Sequence, residues 1–180
     1  MKILFGVLNS VLFIFNASMT IDFGENKTGT EWEVISDGVM GGRSKGFTTM
    51  KENTLTFEGT VSLANNGGFS SFKSPFKDYD LSAFEVVEIK YRAEGQAFAM
   101  TLETDQRWYM PYFKKQFTGK TTEWQTVRIP LSEFQQYRVG SKTGKTLSDE
   151  NLSQIVRIGI TTDSKKESQF VLELDYLRFE

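Results

Sequence analysis

Apolar and polar positions alternate along most of the chain beyond residue 18. Over 54–63, Leu55, Phe57, Gly59, Val61 and Leu63 fall on one side, with Thr56, Glu58, Thr60 and Ser62 on the other. The same two-residue period groups Val87, Ile89 and Tyr91 over 85–92, and Phe98, Met100 and Leu102 over 97–104. It groups Gln125, Val127, Ile129 and Leu131 over 124–131, and Val156, Ile158 and Ile160 over 155–162. Over 169–179 it groups Phe170, Leu172, Leu174 and Tyr176. Each segment reads as a half-buried strand. Weaker patterns predict strands over 20–23, 32–36, 46–50, 68–74 and 109–116, which brings the total to about ten. Turn residues separate them, as at Glu94-Gly95, Thr118-Gly119-Lys120 and Asp163-Ser164-Lys165. Short helical turns are predicted at 131–137 and 147–152, the second led by Ser148 and two acids. Many short strands with little helix predict an all-β fold, a β-sandwich or barrel.

The length suits one domain, and no linker or repeat divides the chain. The 180 residues contain no Cys and no His. Disulfides, thiol nucleophiles, Cys-His metal sites and a Ser-His-Asp triad are therefore excluded. No carboxylate pair stands out as an acid/base couple: Glu173 and Asp175 read as the solvent face of the last strand. No metal or cofactor is expected. A formal net charge of −2 with scattered Lys and Arg is not the basic stripe of a nucleic-acid binder. Sixteen Phe, six Tyr and three Trp form a heavy aromatic load, suited both to strands and to ligand platforms.

The first eighteen residues differ from the rest. Lys2 precedes an apolar run from Ile3 to Phe15, then Asn16-Ala17-Ser18. This is the layout of a secretory signal peptide, too short for a membrane span. It predicts export, to the periplasm or medium, of a domain covering 19–180. The competing reading makes Met1–Ser18 a folded first element, or Met19 the start, in a cytoplasmic protein.

Three constellations could carry chemistry. Asp37-Gly38-Val39-Met40-Gly41-Gly42-Arg43-Ser44 joins two strands through a Gly-rich turn. It can present N–H groups to an anion, with Asp37, Met40, Arg43 and Ser44 as contacts, or be a tight structural turn. It is neither a P-loop nor a dinucleotide fingerprint, because no helix follows. Asn65-Asn66-Gly67-Gly68-Phe69 is a hairpin tip that offers Asn65, Asn66 and Phe69. Arg107-Trp108-Tyr109, with Tyr112 beyond, can stack sugar rings or form a protein hot spot, or pack alternately in a strand.

The two Gly-rich strings, in this order, resemble the complex I intermediate-associated protein 30 family. Trp124-Gln-Thr-Val-Arg-Ile-Pro130 and Phe170-Val-Leu-Glu-Leu-Asp-Tyr-Leu177 extend the resemblance over about 20–180. It implies a galactose-binding-like jelly-roll sandwich similar to carbohydrate-binding modules. The family's mitochondrial members are assembly chaperones for respiratory complex I, and no catalytic residues carry over from it. The expectation is a non-catalytic module with a protein partner or assembly client. The alternative is a carbohydrate-binding module of an exported protein. An enzyme using carboxylates or a nucleotide is the least supported reading, and the oligomeric state is open.

Overall fold

A computed structural model describes residues 18–117 and 121–180. The candidate signal segment lies almost wholly outside the described residues, as does the turn at 118–120. The described chain forms two antiparallel sheets that face each other. The strands are β1 (Met19–Asp22), β2 (Glu33–Ser36), β3 (Lys45–Met50), β4 (Leu55–Val61), β5 (Ser70–Lys73), β6 (Val86–Glu94) and β7 (Phe98–Glu103). They continue as β8 (Tyr112–Phe117), β9 (Thr121–Pro130), β10 (Gln135–Arg138), β11 (Ser141–Thr146), β12 (Arg157–Thr162) and β13 (Ser168–Phe179). Sheet A runs β3-β4-β13-β6-β9, with β1 also on β13; sheet B runs β11-β10-β8-β7-β12-β5-β2. Among the described residues no helix is long and apolar enough to cross a membrane.

The core is the alternating apolar face of both sheets. Leu55, Phe57, Ile89, Tyr91, Leu172 and Leu174 face inward from sheet A. Phe72, Phe98, Met100, Leu102, Ile158 and Ile160 answer from sheet B. Aromatic rings bridge the layers: Phe57 to Phe72 at 6.0 Å, Phe170 to Phe98 at 6.0 Å and Tyr91 to Phe117 at 4.9 Å. Phe23 and Trp32 close one flank, each within 5.8 Å of Phe72. Such offset and edge contacts add to the burial term of large apolar side chains.

The structure corrects the sequence reading in three places. The pairing of β13 with β6 shifts between Leu174 and Tyr176, so a bulge at Asp175 turns Leu177 and Phe179 inward. Tyr176 therefore faces out and donates its hydroxyl to Glu88 Oε1 at 2.8 Å. The helical turn at 131 stops at Glu133; Phe134 enters the core and Gln135–Arg138 forms β10, paired with β8. The β10–β11 hairpin escapes the alternation test because Ser141–Thr146 is exposed throughout. Its turn uses Val139 and Gly140 at φ 46 and 78, and a β-branched residue there is uncommon. The second helical turn is present as α1 (Asp149–Leu152), capped by Ser148.

Phe72 packs against three aromatic rings, Phe57 from the facing sheet and Phe23 and Trp32 at the flank. Phe72→Ala is expected to cost about 3–5 kcal/mol. Urea unfolding followed by near-ultraviolet circular dichroism checks this.

Candidate functional site

The two Gly-rich strings meet at one end of the sandwich, around a single carboxylate. Asp37 opens a short 3-10 turn, Asp37–Met40, after β2, and it is fully buried. Its Oδ1 accepts from the Ser44 backbone N–H at 2.9 Å. Its Oδ2 accepts from the Gly68 N–H at 2.6 Å, the Phe69 N–H at 3.2 Å and the Ser44 hydroxyl. The Asp37 N–H in turn donates to the Phe69 carbonyl at 3.2 Å. Asn65 Nδ2 donates to the Gly41 carbonyl at 2.9 Å, and the Ser62 N–H donates to Ser44 Oγ at 3.0 Å.

The glycines follow from this packing. A Cβ on Gly42 would lie 2.3 Å from Asp37 Oδ1, and one on Gly67 would lie 2.5 Å from Oδ2. Only glycine lets both loops close on the carboxylate. Asn65 and Asn66 both take φ near 60, a conformation that Asn tolerates better than other side chains. Burial on its own pushes the Asp37 pKa up, but the hydrogen bonds from Ser44, Gly68 and Phe69 outweigh it. The net effect holds the carboxyl below its ordinary 3.8.

Asp37, Ser44, Asn65, Phe69 and their glycines therefore form a structural clasp. Asp37 has no surface left for a ligand. Met40 and Val39 project from the clasp, 57% and 76% exposed, and Arg43 and Asn66 are exposed beside them.

The aromatic string lies at the opposite end of sheet B, in the loop from β7 to β8. It is not part of a strand, since β8 begins at Tyr112. Asp105 organises the loop by accepting from the Arg107 N–H at 2.9 Å and from its Nε and Nη2 at 2.9 and 2.6 Å. That pairing holds the Asp105 carboxyl well below the usual carboxylate range. The Met110 N–H closes the turn on the Arg107 carbonyl at 3.0 Å. Trp108 is 73% exposed and Tyr109 is 42% exposed. Their rings stand 6.0 Å apart at 89°, so they do not make a flat platform. At the same end, a hollow of about 500 Å³ is lined by Phe76, Lys77, Thr104, Gln106 and Val156. Phe76 is 40% exposed and backed by Arg157 at 4.2 Å.

Tyr112 sits apart from both groups, on the outer face of sheet B. Its ring stacks on Tyr137 at 6.0 Å and 24°. Burial, then Asp163, Tyr137 and Glu103, push its hydroxyl up to about 12. Tyr137 escapes the sequence reading because its segment resembles a helical turn; its pairing with Tyr112 exists only through the register of β10 on β8.

Asp37→Asn keeps the size of the side chain but loses the charge and turns an acceptor into a donor. It is expected to destabilise the chain by about 2–4 kcal/mol. Asp37 has a depressed folded-state pKa, so its stabilisation is full above the unfolded value near ~4 and is lost as pH falls through the folded one. Urea midpoints from pH 7 to pH 3 check this: the wild-type protein should lose more stability on acidification than the Asn variant.

The family model described as Complex I intermediate-associated protein 30 matches residues 21–174. The mouse (Mus musculus) mitochondrial Complex I intermediate-associated protein 30 is 28% identical over 185 residues, covering 89% of this chain and 55% of that protein. The chain thus spans about half the length of that relative. Among solved structures, the Family 11 Carbohydrate-Binding Module of a Clostridium thermocellum cellulosomal cellulase superposes with a TM-score of 0.67 at 19% identity, covering 91% of this chain and 94% of that one. The same family's module in complex with a β-1,3-1,4-mixed-linked tetrasaccharide gives 0.66 at 19% identity, over 90% and 94%. A family 29 carbohydrate-binding module gives 0.52 at 10% identity, over 91% and 88%. These likenesses establish the galactose-binding-like jelly roll. The clasp motif and the family match over nearly the whole domain agree: the chain belongs to the complex I intermediate-associated protein 30 family.

Proposed function

We propose that this chain is a non-catalytic binding module that docks on a protein undergoing assembly, through the end of the sandwich that carries Trp108. The observation that carries this reading is an exposed Trp on a loop made rigid by the Asp105–Arg107 pair. Trp, Tyr and Arg are the residue types that dominate protein hot spots. A side chain whose loop is already ordered loses less entropy on binding. Phe76 and the hollow beside it give the patch both a projection and a recess. The family's name, and that of the mouse relative, support an assembly intermediate as the partner. The absence of Cys and His from the sequence supports the non-catalytic reading. The perpendicular Trp108 and Tyr109 rings do not form one continuous stacking face, and Arg107 beside them suits a protein hot spot.

Affinity capture with the full chain, followed by crosslinking, tests the proposal. A subunit of a multi-subunit complex should crosslink to the 104–111 loop. Trp108→Ala should weaken capture by about thirtyfold or more while changing folding stability by less than about 0.5 kcal/mol. Trp124→Ala, on the outer face of sheet A, should leave capture unchanged. Equal capture by wild type and Trp108→Ala would overturn the assignment to this loop.

A further inference from the structure

The end of the sandwich that holds the clasp carries its own surface chemistry. The connections 37–44, 62–69, 95–97 and 163–167 all turn at this end. The register places them together, since Lys45 pairs with Thr60, Ser168 with Val61 and Thr162 with Phe98. Hydrogen bonds then join one loop to the next. Glu167 Oε1 accepts from the Leu63 N–H at 3.0 Å and from the Ser62 hydroxyl at 3.3 Å. Gln96 Nε2 donates to the Lys166 carbonyl at 2.8 Å.

Exposed aliphatic side chains and free cations share this end. Val39, Met40 and Leu63 stand in solvent. The clasp fixes the backbone beneath them, through Asp37 on one side and the Asn65–Gly41 bond on the other. Arg43, Lys45, Lys165 and Lys166 are exposed on the same loops and strand end. Among the described residues none of these four cations has an ion-pair partner. The carboxylates here are mostly engaged. Asp37 is buried, Asp163 pairs with Lys114 at 2.6 Å, and Glu167 holds the Leu63 amide. Glu94, the last residue of β6, is a further exposed acid. The connections 74–85 and 147–156 at the opposite end carry five carboxylates and one cation, Lys77. The charge is therefore unevenly divided along the sandwich, and its field turns the clasp end toward an anionic surface.

The side-chain types select the occupant. Leu and Val are under-represented among protein hot spots, which favour Trp, Tyr and Arg. A soluble polyanion would use the cations but gain nothing from aliphatic tips. A lipid surface uses both, because peripheral docking combines shallow apolar insertion with attraction of basic residues to anionic headgroups. The acyl boundary accepts aliphatic groups without a matching pocket. We propose that the clasp end docks on an anionic lipid bilayer. Val39 and Met40 enter the headgroup–acyl boundary with Leu63 beside them, and Arg43, Lys45, Lys165 and Lys166 meet the headgroups. Trp108 lies at the other end, so this docking leaves it free and is independent of the protein-docking reading.

Vesicle binding by the full chain tests it, with phosphatidylcholine alone and with about one third phosphatidylserine. The sequence has no Cys, so Met40→Cys takes an environment-sensitive dye at one place. Its emission should move to the blue with the anionic vesicles only. The same dye on Gln106→Cys, at the opposite end, should not respond. In sedimentation, Lys165→Glu with Lys166→Glu should weaken anionic-vesicle binding about tenfold or more. Val39→Ser with Met40→Ser should do the same, by about tenfold. Salt at about 0.5 M should weaken wild-type binding, and Trp108→Ala should sediment as wild type does. Circular dichroism and Tm establish that each variant is folded. The apolar run from Ile3 to Phe15 is common to every variant. Binding through that run alone would leave all of them equal, and that result would overturn the proposal. So would a blue shift of the Met40→Cys dye as large with neutral vesicles as with anionic ones, or no vesicle binding at all. Loss in the lysine variant without loss in the Val39 and Met40 variant would also overturn it, and would assign the end to a soluble polyanion.

Discussion

One buried carboxylate holds the ends of both sheets together. The chain passes from sheet B to sheet A between β2 and β3, and back between β4 and β5. Asp37 sits where these two crossings meet and accepts hydrogen bonds from Ser44 in the first and from Gly68 and Phe69 in the second. Burying a charge is costly unless it is fully hydrogen-bonded, and here the donors come from both crossings. That requirement accounts for the residues of both Gly-rich strings. Asp37 supplies the charge, Ser44 a hydroxyl and an amide, and Gly42 and Gly67 the space. With the crossings fixed, β2 can pair with β5 at one edge of sheet B and β3 with β4 at one edge of sheet A.

Much of the fold is legible in the sequence, because a two-residue period has one physical cause in a two-layer sandwich. The segments around Leu55, Val87, Phe98 and Ile158 all bury the face that their alternation implies. Legibility fails where the cause is not alternation. The bulge at Asp175 inverts the last strand, and its trigger lies in cross-strand pairing with β6 rather than in composition. The β10–β11 hairpin is polar and uses a Val-Gly turn, so no local signal announces it. The clasp was visible as a string, but its buried state was not, since Asp37 and Gly68 are far apart in sequence and meet only in the folded chain. The stacking of Tyr112 on Tyr137 left no string at all: the two rings meet only through the pairing of β10 with β8.

The candidate residues divide by location. The clasp occupies one end of sheet B, the Trp108 loop the other, and Tyr112 the face between them. This arrangement separates the self-saturated clasp from the surfaces left free to meet a partner. Residues that saturate one another, such as Asp37 and Ser44, specify the fold. Residues ordered but left in contact with solvent, such as Trp108, are available for recognition.

The most direct test of this account is amide hydrogen exchange of the native chain resolved at single residues. If the carboxylate fixes both crossings, the amides of Ser44, Gly68 and Phe69 exchange as slowly as those of the central strand β7, despite lying in loops. If they exchange as fast as the exposed turn at Gly140, the clasp does not hold the crossings, and the central role given to Asp37 is contradicted.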